Sequence, residues 1–257
     1  MAGNIIYPGA GNIFVMVDGR RFPAPDRAQV RALCEAECTD GLIVLYDAAG
    51  FDFLMDFFNP DGSEAELCGN GARCVAAFAR EIGAAKSDVM RFETLAGDVR
   101  AEVLNSQLVK VWMPDPKDLR DDFVNSGVPH KIVPVDDLAS ADVAGEGRRI
   151  RYSDEFAPAG TNVDFVAYRA PDRADIRTYE RGVEAETGAC GTGSVAAALV
   201  GVAQHGMSFP VTVHTAKGYE LAIDGEFDGK AFRDVTLTGP VARVFDGEID
   251  LDSLDSF

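Results

Sequence analysis

Two cysteines of this sequence each stand directly before a glycine-rich entry into an alanine-rich segment. Cys68 opens "CGNGARCVAAF" and Cys190 opens "CGTGSVAAAL". If each segment is a helix, the cysteine lies at a helix start, where unpaired backbone N–H groups and a partial positive charge stabilise a thiolate. The glycines that follow let a carboxylate or another oxyanion approach the backbone. The repeated pattern predicts a symmetric pair of reactive thiols around one substrate.

A symmetric pair of thiols suits the inversion of a stereocentre without a cofactor. One group removes the proton from the carbon, and a second group returns a proton from the opposite face. The two cysteines would exchange these roles between the two directions of the reaction. Helix N-termini aimed at the substrate carboxylate would stabilise the carbanion-like intermediate.

The elements that must position these thiols repeat along the chain. Runs such as "GLIVLYD" and "NVDFVAY" indicate strands in both halves. Helices are expected over residues 25–37, about 70–83 and about 191–206, and a Pro- and charge-rich linker over 113–122. We therefore expect an α/β (α+β) fold of two pseudo-symmetric lobes, each a mostly antiparallel sheet around a central helix, with the active site in the cleft. The predicted lobes are residues 1–117 and 118–257, with the last strand a candidate to cross back to the first lobe.

Composition narrows the class of protein. The chain has 257 residues and a formal net charge of −18, which argues against nucleic acid and anionic membrane surfaces as partners. The longest small apolar run, 194–203, is shorter than the ~20 residues that span a bilayer. The N-terminus shows no signal-peptide pattern. The odd number of cysteines, 5, is typical of reduced thiols in a cytoplasm.

Several longer segments, taken together, resemble the diaminopimelate epimerase family. The resemblance runs with gaps from about residue 9 to 251, and the Cys-Gly-Asn-Gly-Ala-Arg-Cys segment is its most specific part. It implies two similar α/β lobes, no cofactor and no metal, and the interconversion of LL- and meso-2,6-diaminopimelate in lysine and peptidoglycan precursor synthesis. It also implies a cytoplasmic homodimer whose partner is otherwise only its small amino-acid substrate. The segments that show the resemblance are "AGNIF" (10–14), "NPDGSEAELCGNGARCVA" (59–76), "GTNVDF" (160–165), "TYERGVEAETGACGTGSVAAA" (178–198) and "TGPVARVFDGEIDL" (238–251).

The resemblance also assigns roles to individual residues. Cys68 and Cys190 match the two catalytic thiols. His130 matches a histidine that tunes the pKa of the cysteines, and Glu180 is assigned the same effect. The matches to substrate-binding positions are Asn12, Asn59, Gly69, Asn70, Asn162, Glu180, Arg181, Gly191 and Thr192.

The sequence departs from the family pattern away from the two thiols. Val128 stands where the family usually has an asparagine, and Pro8 and Ile13 replace polar residues near the N-terminus. Phe245 replaces a tyrosine that supports dimerisation in some members. These changes bear on substrate breadth and on the oligomeric state.

Alternatives to this assignment follow from the same residues. An amino-acid racemase of different or broader specificity on the same scaffold is favoured by Val128 and Ile13. A non-catalytic amino-acid-binding protein is disfavoured by the retention of both thiols, and a thiol redox protein by the absence of a Cys-x-x-Cys pair. Cys68 and Cys190 could also be structural helix-capping thiols or an oxidised pair. Cys34, Cys38 and Cys74 fit inert positions.

Overall fold

In the described part of the chain, strands greatly outnumber helices. The computed structural model describes residues 2–65, 68–243 and 245–249, and the side chains within 6–65 and 68–243. The helices are α1 Arg27–Glu37, α2 Gly69–Glu81, α3 Val143–Arg151 and α4 Gly191–Gln204. The first strands are β1 Ala2–Gly9, β2 Asn12–Asp18, β3 Gly41–Tyr46, β4 Phe53–Phe58, β5 Glu64–Ala65, β6 Val89–Thr94, β7 Gly97–Asn105, β8 Leu108–Trp112 and β9 Lys117–Arg120. The later strands are β10 Phe123–Asn125, β11 Pro129–Pro134, β12 Asn162–Ala170, β13 Arg173–Glu180, β14 Ala185–Thr187, β15 Val211–His214, β16 Glu220–Phe227, β17 Phe232–Pro240 and β18 Phe245–Ile249.

The chain forms two compact units. Unit 1 comprises Met1–Val111 and Gly239–Phe257, and unit 2 comprises Trp112–Thr238. The predicted mixed α+β fold, with sheets around helices in two similar units, is confirmed. The division at residues 117 and 118 stays a prediction.

The two units repeat one order of elements with one set of strand pairings. In unit 1, β1 pairs antiparallel with β2, β2 parallel with β3, β3 antiparallel with β4, and β4 parallel with β6. In unit 2, the same four pairings join β10, β11, β12, β13 and β15 in that order. Helices α1 and α3 take equivalent places in this order, and so do α2 and α4. The chain is therefore an internal duplication at the level of structure.

The last strand completes the first unit. Strand β18 pairs antiparallel with β1, as β9 pairs antiparallel with β10 in unit 2. The C-terminal segment thus supplies to unit 1 the strand that unit 2 takes from its own beginning. Only the backbone of β18 is described, so the expectation for the Phe245 side chain lies outside the described residues.

Strand register identifies equivalent residues in the two units. Phe14 is paired with Gly41, and His130 with Asn162, across the parallel strand pair of each unit. Across the next, antiparallel pair, Ile43 faces Phe57 in unit 1 and Asp164 faces Thr178 in unit 2. Phe14, Ile43 and Phe57 are therefore the unit 1 counterparts of His130, Asp164 and Thr178. The same registers make Asn12 equivalent to Val128 and Asn59 equivalent to Glu180.

The second helix of each unit lies in its core. In α2, all residues from Gly69 to Ala76 are buried, and in α4 all residues from Val195 to Val200 are buried. Small residues dominate both stretches, which allows the helices to pack closely against the surrounding strands. Helix α4 is apolar on every side from Val195 to Val200, and such a helix is stable only when protein surrounds it. Burial of α2 and α4 thus fixes where their N-termini, with Cys68 and Cys190, can lie.

The observed elements differ from expectation in three places. The predicted helices 25–37, 70–83 and 191–206 are present with slightly shifted ends. Helix α3 was not predicted, because its two glycines and four charged residues hide a helix whose N-terminus is capped by Asp142. The predicted linker 113–122 contains strand β9, whose residues are mostly exposed. The absence of an apolar alternation explains why its sequence resembles a linker.

Candidate active site

The two cysteines occupy the same position on equivalent helices. Cys68 is the N-cap residue of α2, with φ −123° and ψ 121°. Cys190 is the N-cap residue of α4, with φ −123° and ψ 114°. Both residues therefore have the extended backbone that an N-cap requires, and each precedes backbone N–H groups that the helix itself cannot pair. All five cysteines of the chain are thiols rather than disulfides.

The glycines two positions after N1 are required by close packing. A Cβ on Gly71 would lie 2.9 Å from Ile43 Cδ1, and a Cβ on Gly193 would lie 2.6 Å from Asp164 Oδ1. A side chain at either position would displace its neighbour. The contacts also agree with the register, since Ile43 and Asp164 are equivalent residues. The Gly-x-Gly pattern thus brings each helix N-terminus onto the second strand of the parallel pair.

A chain of amide hydrogen bonds orders the first turn of α2. Asn70 Nδ2 donates to Asn12 Oδ1 at 2.7 Å and lies 3.4 Å from the Ala10 carbonyl. These bonds fix the amide of Asn12 with its oxygen toward Asn70. The Nδ2 group of Asn12 then remains as the donor that this side chain can present to a ligand. Two of the predicted substrate-binding residues, Asn12 and Asn70, are thus brought together.

Arg73 completes this chain from inside the core. Its side chain is fully buried, and it donates to Asn70 Oδ1 at 2.7 Å and to the Gly69 carbonyl at 3.2 Å. Sequence reasoning did not select this residue. An arginine inside the small-residue stretch "GNGARCVAA" was the available signal, because a buried guanidinium is unusual without a partner.

Asn59 is held by its own turn. Its Nδ2 donates to Ser63 Oγ at 3.0 Å, and its backbone N–H donates to the Ser63 carbonyl at 2.8 Å. The hydroxyl of Ser63 in turn donates to Asp61 at 2.6 Å. The structure explains the position of this turn, while the substrate-binding role of Asn59 stays a prediction.

Burial and negative charge surround Cys190. Its side chain is 8% exposed, and its sulfur lies 3.4 Å from Thr192 Oγ1. Desolvation raises the pKa of Cys190 well above its ordinary value, and the charges of Glu180 and Asp164 raise this pKa further. The Thr192 hydroxyl and the Gly193 amide oppose the effect in part. Burial and these two carboxylates therefore favour the protonated thiol of Cys190.

A buried polar network lies beneath Cys190. His130 Nδ1 lies 2.7 Å from Asp164 Oδ2, and His130 Nε2 lies 3.0 Å from Thr192 Oγ1. Thr178 donates its hydroxyl to the other oxygen of Asp164 at 2.7 Å. His130 and Asp164 are both fully buried. The network thus joins strands β11, β12 and β13 to the N-terminus of α4.

The network has two consistent hydrogen-bond arrangements. When His130 is neutral and its Nδ1–H donates to Asp164, its Nε2 accepts from the Thr192 hydroxyl. Thr192 Oγ1 can then accept from the thiol of Cys190. When His130 is protonated, the direction reverses, and the Thr192 hydroxyl donates to a thiolate. The geometry therefore links the charge of Cys190 to the charge of His130.

Asn162 positions the turn that contains Arg181. Asn162 Nδ2 donates to the Pro129 carbonyl at 3.1 Å, and its Oδ1 accepts from the Arg181 N–H at 2.8 Å. Glu180, the last residue of β13, and Arg181, the residue after it, are half-buried. The structure thus brings Asn162, Glu180 and Arg181 together with the Cys190 region. Direct contact of these three side chains with substrate stays a prediction.

Sequence reasoning missed two members of the unit 2 network. Asp164 lies on β12 and bonds to His130, and Thr178 lies on β13 and donates to Asp164. The signal for Asp164 was present, because it is an acidic residue inside the apolar run "NVDFVAY". A carboxylate in a buried strand needs a hydrogen-bond partner or a counter-charge. Thr178 gave no such signal.

The equivalent region of unit 1 is apolar. Phe14 on β2 and Phe57 on β4 pack edge to face with ring centroids 5.8 Å apart. Ile43 lies on β3, the strand between them, and is paired with Phe57. Cys68 and Cys190 are therefore alike in backbone conformation and different in what lies beneath them.

Three positions that depart from the family pattern lie among the residues whose side chains the structure describes. Val128 and Pro8 are half-buried, and Ile13 is 39% exposed. Val128 is the structural counterpart of Asn12, so unit 2 lacks the amide that unit 1 presents at this position.

Among the described residues, no group of three or more His, Cys, Asp or Glu side chains is arranged to hold a metal ion. No helix in the described ranges is long and apolar enough to cross a membrane.

Comparisons with known proteins match diaminopimelate epimerases over nearly the whole chain. The diaminopimelate epimerase family model matches residues 4–118 and 123–244. A diaminopimelate epimerase from Aquifex aeolicus is 42% identical, with 96% of this chain and 97% of that protein covered. One from Flavobacterium psychrophilum is 35% identical, with 95% and 98% covered.

Solved structures with lower sequence identity share the fold. A probable proline racemase from Agrobacterium radiobacter K84 has a TM-score of 0.70 at 18% identity and covers 100% of this chain and 95% of its own. A hydroxyproline epimerase from Agrobacterium vitis has a TM-score of 0.64 at 16% identity, with 95% and 91% covered. These likenesses concern architecture alone. The family match and the two closely related sequences show that this chain belongs to the diaminopimelate epimerase family.

Proposed function

We propose that the protein interconverts LL- and meso-2,6-diaminopimelate by a two-base mechanism in which Cys68 and Cys190 serve opposite faces of one α-carbon. The observation that supports this most strongly is the matched pair of N-cap cysteines on equivalent helices. A structural role would not require the same residue with the same backbone angles at both helix starts. Membership of the family supplies the substrate.

The chemistry follows from what each thiol can do. A thiolate on one face removes the α-proton, and the thiol on the other face delivers its own proton to the carbanion. The bond from carbon to the original hydrogen breaks and one to a new hydrogen forms, so atoms and charge balance without a cofactor. The two thiols end the turnover with exchanged protonation states. The reverse reaction therefore uses them in the opposite roles.

Backbone N–H groups stabilise the charge that develops during the reaction. When a proton leaves the α-carbon, negative charge spreads into the adjacent carboxylate. Gly69 and Asn70 on α2, and Gly191 and Thr192 on α4, present N–H groups that have no intrahelical partner. These donors and the two helix dipoles stabilise the carbanion more than the neutral substrate, which lowers the barrier.

The side chains near each helix start recognise the rest of the substrate. Asn12 donates from Nδ2, because Asn70 occupies its oxygen. Glu180 and Arg181 bind an ammonium and a carboxylate of the substrate, respectively, and Asn162 holds the backbone of Arg181 in place. Charge complementarity of this kind selects an amino acid with a second amino-acid group at its distal end.

The network under Cys190 lets that thiol change its charge inside a buried region. A thiolate at Cys190 would otherwise be opposed by desolvation and by two carboxylates. With His130 protonated between Asp164 and Thr192, the Thr192 hydroxyl can donate to the sulfur. The role of His130 is thus to compensate the charge on Cys190 through Thr192.

The biological setting follows from the proposed reaction. The product supplies lysine synthesis and peptidoglycan cross-links, so we place the enzyme in the cytoplasm, where its unbridged cysteines persist. A homodimer is proposed from the family resemblance alone, and sedimentation of the purified protein tests it. A racemase of broader specificity remains the second candidate, because Val128 replaces the amide expected opposite the substrate.

Single-cysteine variants test the proposed mechanism. Cys68→Ala and Cys190→Ala should each reduce epimerisation of LL-diaminopimelate by about 10²-fold to 10⁴-fold, since one thiol cannot serve both faces of a carbon. Cys74→Ala is the matched control, because Cys74 lies on the same helix as Cys68 and is fully buried. Near-normal turnover by either catalytic variant, with a native circular dichroism spectrum, would exclude the two-thiol mechanism.

A further inference from the structure

The buried cation of α2 has no counter-ion among the acidic side chains that the structure describes. Arg73 is fully buried, and among the described residues it donates to the Gly69 carbonyl and to Asn70 Oδ1, both uncharged. No described carboxylate forms a salt bridge with it, and its Nε has no hydrogen-bond partner. A guanidinium stays protonated in proteins, so the charge cannot be relieved by proton loss. A buried charge in this situation needs an anion nearby.

The position of Arg73 on the helix makes the need for an anion greater. Arg73 lies in the second turn of α2, and its guanidinium reaches back to the first turn at Gly69 and Asn70. The N-terminal end of a helix is already positive, so a cation there is unfavourable by itself. The combination of helix N-terminus and guanidinium creates a strongly positive region one residue from Cys68.

Two cysteines lie in this region, and only one is suited to be the anion. Cys74 is fully buried beside Arg73, and desolvation raises the pKa of Cys74 to about 12, so it stays protonated. Its sulfur lies 3.8 Å from the Tyr7 carbonyl, which accepts from the thiol. Cys68 is partly exposed. Burial lowers the pKa of Arg73, and the charges of Cys74 and Cys68 oppose this lowering.

Unit 2 has the opposite charge arrangement. The position equivalent to Arg73 is Val195, which is buried and apolar. The charged groups that act on Cys190 are the carboxylates Glu180 and Asp164. The neutral form of His130, bonded to Asp164, accepts from Thr192 and leaves Thr192 Oγ1 to accept from the Cys190 thiol.

The other charged groups packed against α2 do not change this balance. Tyr7 and Arg243 both interact with Glu81, the last residue of α2, about 18 Å along the helix from its start. On β4, Met55 faces Gly71, so the next residue, Asp56, points to the opposite face of the sheet. On β7, Val99, Ala101 and Val103 pack in the same core cluster as α2, so Asp98, Arg100 and Glu102 point to the opposite face. Asp18, the last residue of β2, is paired with Arg20.

We propose that Arg73 is the buried counter-ion of a Cys68 thiolate, so that the enzyme rests with Cys68 deprotonated and Cys190 protonated. This inference rests on the proposed function and assigns which thiol acts as base on the first substrate to bind. Arg73 does not touch the reacting atoms. It is a positioning residue that acts through Cys68 and through the Asn70 amide.

The pH dependence of alkylation, read separately for each cysteine, tests the proposal in the unmodified protein. Iodoacetamide reacts with thiolates, and peptide mass spectrometry after quenching gives the modified fraction of each cysteine as a function of pH. The midpoint of the profile reports thiolate formation, whereas exposure affects chiefly the maximal rate. We expect the midpoint for Cys68 to lie below the midpoint for Cys190. A lower midpoint for Cys190 would overturn the proposal.

Two variants isolate the contribution of Arg73. In Arg73→Met the Cys68 midpoint should rise by about one pH unit or more, whereas Arg73→Lys, which keeps the charge, should stay near the parent. The Cys190 midpoint should not move in either variant. An unchanged Cys68 midpoint in a folded Arg73→Met protein would overturn the proposal. If Arg73→Met does not fold, the profiles of the parent and of Arg73→Lys still decide. A Cys68 midpoint in Arg73→Lys that lies about one pH unit or more above the parent midpoint would contradict a charge effect.

This outcome can be separated from failure of the proposed function. The proposed function fails if Cys68→Ala retains near-normal epimerisation. The inference about Arg73 fails on the alkylation profiles alone, which need no substrate and no turnover.

Discussion

Asp164 in unit 2 occupies the position that Ile43 occupies in unit 1. Both residues face the second glycine of the Gly-x-Gly helix start, at 2.6 Å and 2.9 Å from the position of an added Cβ. In unit 1 the surroundings are the rings of Phe14 and Phe57, and in unit 2 they are His130 and Thr178. One scaffold thus supports one thiol over an apolar cluster and the other over a buried polar network.

The first prediction concerns the stability of this network. Asp164→Leu should lower the free energy of unfolding by about 3 kcal/mol or more, because it leaves His130 Nδ1 and the Thr178 hydroxyl buried without partners. Asp164→Asn is the matched variant, since its amide can accept from His130 and donate to Thr178, and it should cost clearly less. Urea unfolding measures both. Equal losses for the two variants would show that the hydrogen bonds of Asp164 contribute little.

The second prediction concerns the link between His130 and Cys190. Thr192→Val keeps the shape and the backbone N–H but removes the hydroxyl that lies between Nε2 and the sulfur. We expect kcat to fall about tenfold or more, with a small change in KM, because a hydrogen bond to a charged sulfur, worth about 1.5 kcal/mol or more, is lost in the transition state. Thr192→Ser should retain most of the activity. Steady-state kinetics in both directions provide the measurement, and equal kcat values for the Val and Ser variants would contradict the link.

The third prediction concerns Val128, the counterpart of Asn12. Val128→Asn should lower KM for diaminopimelate with little change in kcat, since the added contact forms equally in the ground and transition states. The parent should also exchange the α-proton of shorter dicarboxylic amino acids better than the variant, because an unpaired buried amide penalises ligands that cannot bond to it. The kcat/KM values of both proteins on both substrates decide. An unchanged ratio would mean that Val128 does not set specificity.

The thiols, the main helices and most strands could be predicted from sequence, because local patterns determine them. The helix starts at Cys68 and Cys190 follow from the glycines, and the family resemblance located His130, Asn12 and Asn70. Arg73 and Asp164 were missed for a physical reason. The role of a buried charge depends on which residues the fold brings beside it. Helix spacing places Asn70 beside Arg73, but the lack of a described carboxylate near Arg73, and the pairing of Asp164 with His130, depend on the tertiary fold. Helix α3 was also missed because its formation depends on the tertiary fold. It packs against β12 and β13, and its own sequence gives little sign of a helix.

The fourth prediction concerns pH and stability through Cys74. The pKa of Cys74 is raised by burial from 9.0 to about 12 in the folded protein, so the folded state holds this proton when the unfolded state has lost it. The stabilisation that this proton contributes to the folded state is fully present below about pH 9 and is lost as the pH rises toward 12. The free energy of unfolding should therefore fall by about 1 kcal/mol more between pH 9 and pH 10 in the parent than in Cys74→Ala. Denaturant titrations across this range compare the slopes, and parallel slopes would show that the Cys74 thiol titrates normally.

The most direct test of the two-thiol account is the isotope content of substrate and product early in the reaction in deuterated water. LL-diaminopimelate is incubated with the enzyme, and both isomers are separated and analysed by mass spectrometry after a small extent of conversion. If one thiol removes the α-proton and the other delivers a solvent-derived deuteron, newly formed meso-diaminopimelate carries one deuterium at the inverted carbon, while remaining LL-diaminopimelate retains its hydrogen. A first-formed product that still carries the hydrogen of the substrate would mean that a single base returns the same proton, and would contradict the account.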